Sequence, residues 1–355
     1  MAGIRIVLRE IRRAYDTCKR NRGIVNSMSD FLLTGVYRTA SSGDSIYLIG
    51  STDIIRGTYS SFKKTPSFAK VVANIIYYLT RYRIINRESE LDFAGTQLIL
   101  SSSQKELKVF DFERKQVLTK YSSLDKLLKY NDDKERFAHS YNVAQTIFIY
   151  EHKSIIVEQL IPHKAFNSES IFPTLVQSMI KHTRSFKTAI SRRNEDYMKQ
   201  SILFASRFGD SRLLERQKKL PSIVTHGDLW SSNVISNGSE LFITDFERTG
   251  NRFFLYDFFT YIFTEWLLNN NPSLLNDYFH GDYDTSLEDM FTALGETYST
   301  DNKESYLLVF LISYTSERWT VSSSNDERVV NFLKKYIPSY FTIEYEQKNN
   351  SNIGR

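Results

Sequence analysis

The residues best suited to chemistry lie close together in the chain. The sequence reads Thr225-His226-Gly227-Asp228-Leu229-Trp230-Ser231-Ser232-Asn233 and, after a short polar stretch, Thr244-Asp245-Phe246-Glu247. Asp228 and Asn233 share one loop and Asp245 leaves the opposite strand, so a hairpin between them brings three oxygen-bearing side chains together. An Asp and an Asn with room left for phosphate oxygens suit Mg²⁺, which takes one or two carboxylates plus nucleotide rather than a full protein cage. The remaining Asp can then accept a proton from an attacking hydroxyl. That division of labour is phosphoryl transfer, in which positioning and charge neutralisation carry most of the catalysis.

The elements that must hold these residues are legible around them. Ile223-Val224-Thr225 is a strand leading into the loop, and Asn233-Val234-Ile235 and Leu241-Phe242-Ile243-Thr244 flank Ser236-Asn237-Gly238-Ser239, a strong hairpin signal. This hairpin interrupts a region whose periodicity is helical. Phe172–Ser185, Asn194–Phe208, Tyr256–Asn269, Leu274–His280, Leu287–Tyr298 and Lys303–Trp319 each admit a helix of ordinary length. Upstream, Gln97–Leu100, Leu107–Phe112 and Gln116–Tyr121 alternate like strands of an antiparallel meander, with Glu113-Arg114-Lys115 as a turn. A charged helix over Leu124–Arg136 and strands over Thr146–Tyr150 and Ser154–Leu160 complete a small α+β layer. Within 24–95, Val71–Ile85 suits either a helix or a buried strand.

His-Gly-Asp-x-x-x-x-Asn, followed twelve residues after the Asn by Asp-Phe-Glu, resembles the catalytic and metal-binding loops of the aminoglycoside phosphotransferase and choline kinase superfamily. Protein kinases differ in having His-Arg-Asp and Asp-Phe-Gly. Leu255-Tyr256-Asp257-Phe258 resembles the family's Tyr-Asp pair at the start of the next helix. The explicit match spans residues 223–260, and the order of elements extends it to 97–330.

The resemblance implies an α+β, two-lobed protein-kinase-like fold, with a small antiparallel-sheet N-lobe over 96–160 and a larger helical C-lobe over 161–345. An N-terminal extension, 1–95, and a disordered tail, 346–355, flank them. It implies an ATP- and Mg²⁺-dependent O-phosphotransferase acting on a small hydroxylated molecule: a sugar, amino sugar, aminoglycoside or amino alcohol. Asp228 then corresponds to the catalytic base, Asn233 and Asp245 to the Mg²⁺ ligands, His226 to the histidine that braces the loop, and Asp257 to a structural acid. Lys120, with Glu135 as its helix partner, corresponds to the phosphate-holding lysine, and Lys115 is its rival. Glu158-Gln159-Leu160-Ile161 falls where adenine is bound through backbone groups.

One departure stands out. No glycine occurs from 96 to 208, so the loop over the phosphates is Ser101-Ser102-Ser103-Gln104-Lys105, with Ser102 and Ser103 in place of glycines. This loop favours the alternative of a kinase-fold scaffold without catalysis, whereas the intact Asp228, Asn233 and Asp245 oppose it. Trp230 is read as packing or as a platform for a sugar ring. Glu247, Arg248 and Arg252 are read as substrate contacts or surface pairs. Asp277, Asp282, Asp284, Glu288 and Asp289 form an acidic set suited either to a cationic acceptor or to solvent.

Composition bounds these readings. A chain of 355 residues, 41% of them hydrophobic, calls for about two folding units. The single cysteine, Cys18, excludes an internal disulfide and a thiolate zinc site and points to a reducing compartment. The most apolar run, Phe253–Leu268, contains Asp257 and Glu265 and does not read as a membrane span. With no secretory leader evident, the cytoplasm is the expected location.

Residues 1–23 carry seven basic and two acidic side chains, the whole of the net +5, so the remaining 332 residues balance at 39 of each sign. That balance argues against a nucleic-acid-binding body. Ile4, Leu8, Ile11, Tyr15 and Cys18 form an apolar stripe flanked by arginines. It is expected either to lie on an anionic membrane surface, as a peripheral contact, or to pack on the main domain. The expected partner of the site is a small-molecule acceptor.

Overall fold

The computed structural model describes residues 28, 31–33, 35–39, 45–50, 82–85, 93–100, 106–186, 220–318 and 323–337. The basic segment 1–23, the loop with Ser102 and Ser103, the helix expected over Asn194–Phe208 and the tail after 346 lie outside these residues. The chain is an α+β protein of two compact units, residues 1–131 with 144–161 and residues 132–143 with 162–355.

The N-terminal unit is built on one eight-stranded sheet. Its strands are β1 (Gly35–Thr39), β2 (Ser45–Gly50), β3 (Tyr82–Ile85), β4 (Gln97–Leu100), β5 (Leu107–Asp111), β6 (Gln116–Lys120), β8 (Thr146–Tyr150) and β9 (Ile155–Gln159). They run in the order β3-β1-β2-β4-β5-β6-β9-β8, with every neighbouring pair antiparallel. The meander expected from alternation is present as β4-β5-β6, in register from Leu107↔Lys120 to Asp111↔Gln116. Its turn is tied by Asp111, whose buried carboxylate accepts from the backbone N–H of Arg114 at 2.9 Å and of Ala94 at 3.1 Å. Three further strands, β1 to β3, extend the same sheet, and Ile84 and Ile85 at the end of the ambiguous apolar run belong to β3. Val109, Leu118, Ile155 and Val157 form its buried centre with Phe31, Tyr37 and Phe93.

Helix α1 (Leu124–Ala138) connects β6 to the C-terminal unit. That unit comprises α2 (Ser168–Ser185), α3 (Tyr256–Asn269), α4 (Ser273–His280), α5 (Asp284–Ala293), α6 (Lys303–Arg318) and α7 (Ser323–Tyr336). Two small sheets interrupt the helices: β10 (Ser222–Thr225) with β13 (Gly250–Phe253), and β11 (Val234–Ser236) with β12 (Leu241–Ile243) and the short β7 (Asn142–Val143).

α2 starts where Asn167 caps it, its side chain accepting from the backbone N–H of Glu169 at 2.9 Å. α5 stops at Ala293, short of the expected Tyr298, and a glycine turn at Gly295 (φ +73°) follows. α3 is apolar around most of its circumference and accordingly buried from Tyr256 to Glu265. It ends where Asn270 takes the left-handed conformation and returns its N–H to the Glu265 carbonyl. Its Phe259 and Phe263 pack against Phe310, Tyr314 and Phe332 in mostly edge-on contacts, each adding roughly 1 kcal/mol beyond the area buried. No described helix is long and apolar enough to cross a membrane.

Candidate active site

The site is built on the two small sheets of the C-terminal unit. β10 pairs antiparallel with β13, placing Thr225 opposite Gly250, and the chain then leaves the sheet at His226. A 3-10 turn over Ser231–Asn233 delivers the chain into β11. The hairpin β11–β12 pairs Val234 with Ile243, and one step further the Thr244 N–H donates to the Asn233 carbonyl at 3.0 Å. This register, not sequence proximity, sets Asn233 beside the residue that precedes Asp245. The tip is closed by Asn237, whose side-chain oxygen accepts from the backbone N–H of Ser239 at 2.9 Å and of Glu240 at 2.8 Å. β7 pairs parallel with β12 on its other edge.

His226 is fully buried (0% exposed). Its Nε2–H donates to the Thr244 carbonyl at 3.0 Å, and its Nδ1 accepts from the Asp228 N–H at 3.3 Å. These partners assign the proton to Nε2. Burial pushes the imidazole below its ordinary pKa, against the raising influence of Asp257, Asp228 and Asp245, so the ring is neutral. A neutral ring bridges the loop to the end of the strand leading into Asp245. Asp257, at the first turn of α3, accepts from the backbone N–H groups of His226 and Gly227.

Asp228 and Asn233 are brought into contact. Asn233 Nδ2 donates to the Asp228 carbonyl at 2.8 Å and to its Oδ2 at 3.3 Å. Its amide donor is thereby committed inward, and the amide oxygen remains for another partner. Asp245 takes the left-handed conformation (φ +69°, ψ +69°), ending β12 and starting the 3-10 turn Phe246–Arg248. Among the described residues no three His, Cys, Asp or Glu side chains form a metal cage by themselves. One carboxylate and one amide oxygen are the donor set Mg²⁺ uses when phosphate oxygens and water fill the rest of its octahedron.

Two arginines pack against the site: Arg318, which sequence reasoning missed, and Arg252, expected as a substrate contact or a surface pair and found in the pair with Glu317. Arg318, the last residue of α6, pairs with Asp228, Nη1 to Oδ1, at 2.5 Å and donates through Nη2 to the Gly227 carbonyl. Arg252 donates to both carboxylate oxygens of Glu317 at 2.9–3.0 Å and to the carbonyl of Arg248 at 2.9 Å. No local signal marks Arg318, which lies 91 positions from Gly227.

A cavity of about 600 Å³ opens beside Ser231 and Ser232, lined also by Phe166, Ser168 and Asn269 among others. Ser168 and Asn269 each donate to Oε2 of Glu265, at 2.8 and 2.9 Å. Glu265 is 1% exposed and its Oε1 has no hydrogen-bond partner. Within the acidic set, Asp284 pairs with Lys303 at 2.7 Å and Asp289 with Arg184 at 3.2 Å.

The remaining expected site residues are more dispersed. Lys120 ends β6 in the N-terminal unit and makes no ion pair with a described residue; Glu135 is exposed on the part of α1 that belongs to the C-terminal unit. Lys115 sits in the β5–β6 turn with φ +54°. Glu158 is buried in β9 opposite Val117 and Thr146, and its carboxylate accepts from Tyr130 at 3.1 Å. The Leu160 N–H is already donated to the Lys115 carbonyl at 2.8 Å, which leaves the Leu160 carbonyl as its free backbone group. Trp230 is half-buried just before the 3-10 turn, and Glu247 is exposed.

Residues 181–291, which contain Asp228, Asn233, Asp245 and Asp257, match the phosphotransferase enzyme family. This stretch, under a third of the chain, is similar to that family. The resemblance seen in the loop spacing is thus shown, and the chain is an enzyme of the phosphotransferase class. No curated protein matches it.

Solved structures similar to the phosphotransferase include an amicoumacin kinase in complex with AMP-PNP and Ca²⁺ (14% identity, 65% of this chain and 84% of that one, TM-score 0.43). Another is an aminoglycoside phosphotransferase of Streptomyces rimosus in complex with ADP and streptomycin (10% identity, 61% and 92%, TM-score 0.38). A third is a choline kinase of Streptococcus pneumoniae (14% identity, 66% and 92%, TM-score 0.36).

Proposed function

We propose that this phosphotransferase moves the γ-phosphoryl group of ATP to a hydroxyl of a small molecule, such as a sugar, amino sugar, aminoglycoside or amino alcohol. The observation that carries the reading is the contact between Asp228 and Asn233 on one loop, with Asn233 bonded across the hairpin to Thr244, the residue before Asp245. Asp228 accepts the proton as the acceptor oxygen bonds to phosphorus and the bond from phosphorus to the bridging oxygen breaks, releasing ADP. Asp245 and the amide oxygen of Asn233 would hold Mg²⁺, which when bound neutralises charge on the phosphate oxygens. His226 and Asp257 keep the loop in place. Lys120 and the backbone at Leu160 serve the nucleotide. The cavity beside Ser231 and Ser232, underlain by Glu265, suits a polar acceptor rich in hydroxyl and amino groups.

The test is consumption of Mg·ATP against a panel of sugars, amino sugars and amino alcohols. Turnover by at least one acceptor, lost in Asp228→Ala, is expected; equal turnover by Asp228→Ala sinks the assignment of the base. The absence of glycine from 96 to 208 favours a second reading, a scaffold that does not use nucleotide. A thermal unfolding midpoint unmoved by Mg·ATP would support it, since a ligand that binds the folded state must stabilise it.

A further inference from the structure

The end of α6 grips the catalytic loop in a way that the loop's own motif does not explain. Glu317 and Arg318 are its last two residues in this contact, and they hold different segments of the site. Arg318 reaches Oδ1 of Asp228 and the Gly227 carbonyl, while Glu317 holds Arg252, whose Nη1 in turn holds the Arg248 carbonyl just after Asp245. One helix end thus ties the loop carrying the base and the segment carrying Asp245 to a common anchor. A cation is well placed at a helix C-terminus, where the peptide dipoles leave partial negative charge.

The surroundings leave Arg318 little freedom. Its guanidinium lies 4.9 Å from the centre of the Tyr314 ring, and the side chain is 14% exposed. Burial works against its charge, but Tyr256, Asp228 and Tyr314 outweigh that cost and hold its pKa above the ordinary value. With Arg318 on Oδ1 and Asn233 on Oδ2, the Asp228 carboxylate is held from both sides, and its orientation is set before any acceptor arrives. A planar fork that bonds a carboxylate and a carbonyl at once cannot be reproduced by a lysine's point charge.

We propose that Arg318 is a positioning residue for phosphoryl transfer: by bonding Asp228 Oδ1 and the Gly227 carbonyl together, it fixes the carboxylate that takes the acceptor's proton. The proposal rests on the reading of Asp228 as the base. It assigns Arg318 no contact with nucleotide, so its loss must lower kcat and leave the KM for Mg·ATP unchanged.

The experiment follows Mg·ATP hydrolysis by the full chain, with water as the acceptor, in the parent, Asp228→Ala, Arg318→Ala and Arg318→Lys. Arg318→Ala is expected to lose about 10²-fold in kcat, the scale of a misplaced catalytic group, with the KM for Mg·ATP within about two-fold of the parent. Millimolar guanidinium should restore part of the lost rate. Arg318→Lys should lose about ten-fold, with its unfolding midpoint unchanged. If Arg318→Ala does not fold, Arg318→Lys decides alone, and the parental kcat in that variant overturns the proposal. A parental kcat in Arg318→Ala, or a loss that appears only in KM, also overturns it while a dead Asp228→Ala leaves the base assignment standing. Hydrolysis by Asp228→Ala at the parental rate removes that assignment, and the role of Arg318 falls with it.

Discussion

Asp257 bonds the backbone N–H groups of both His226 and Gly227, at 2.7 and 2.8 Å, one to each carboxylate oxygen. A single side chain at the start of α3 therefore sets the path of the loop over the two residues before Asp228. An amide in its place keeps one acceptor and turns a donor towards an N–H group. Asp257→Asn should cost about 2–3 kcal/mol in urea unfolding and reduce phosphotransfer more than nucleotide binding. Unchanged stability would show that the loop holds its course unaided.

Gly227 sits at φ +77°, and a Cβ there would collide with the Arg248 carbonyl and the Arg252 guanidinium. Both groups belong to the anchor around Glu317, so neither can move away freely. Gly227→Ala should lower stability by about 2 kcal/mol or more, from backbone strain and the displaced arginine together. The check is the unfolding midpoint alongside that of Gly295→Ala, where a Cβ meets nothing within 4 Å and only the strain of φ +73° remains.

Stability should also depend on pH through two buried histidines. Burial lowers the pKa of His226 and of His182, whose Nε2 contacts the Val224 carbonyl at 2.9 Å and whose ring stacks on Phe137. As the pH falls below the ordinary histidine value of about 6.5, the unfolded chain binds protons that the folded chain refuses. The stability present at neutral pH is then lost on acidification, by up to about 1.4 kcal/mol per pH unit for each histidine. Urea unfolding at pH 7.5 and 5.5 measures this. His182→Phe, which keeps the ring contact with Phe137, should show a shallower dependence, and equal slopes would exclude His182 as a contributor.

Removing a proposed cation ligand should show in the metal requirement. Asp245→Asn is expected to raise the Mg²⁺ concentration for half-maximal Mg·ATP turnover on the order of ten-fold or more, and Asn233→Ala to do so while also releasing Asp228 Oδ2. An unchanged Mg²⁺ titration in Asp245→Asn would place the cation elsewhere.

Much of this protein was legible in the order of its residues, and the reason is physical range. The loop motif, the Asn237-Gly238 hairpin, the meander β4-β5-β6 and most helices of the C-terminal unit arise from turn chemistry and periodicity acting over a few positions, so residue types alone announce them. The added strands β1 to β3 were not legible, because so short a strand is defined by the neighbours it pairs with. α7 went unread for a similar reason: its polar face dominates its sequence, and Phe332 and Leu333 show their purpose only when buried.

The candidate site divides along the same line. Asp228, Asn233 and Asp245 are close in sequence, and one hairpin joins the segments that carry them. Arg318 and Glu317 reach the loop from the far end of α6 without a local signal, whereas Asp257 was expected as a structural acid and only the fold shows that it accepts from the His226 and Gly227 N–H groups. The sequence by itself determined which groups could move a proton and hold a cation. Only the tertiary structure decided what orients them, since a buried guanidinium or carboxylate gains its meaning from partners that folding brings within about 3 Å.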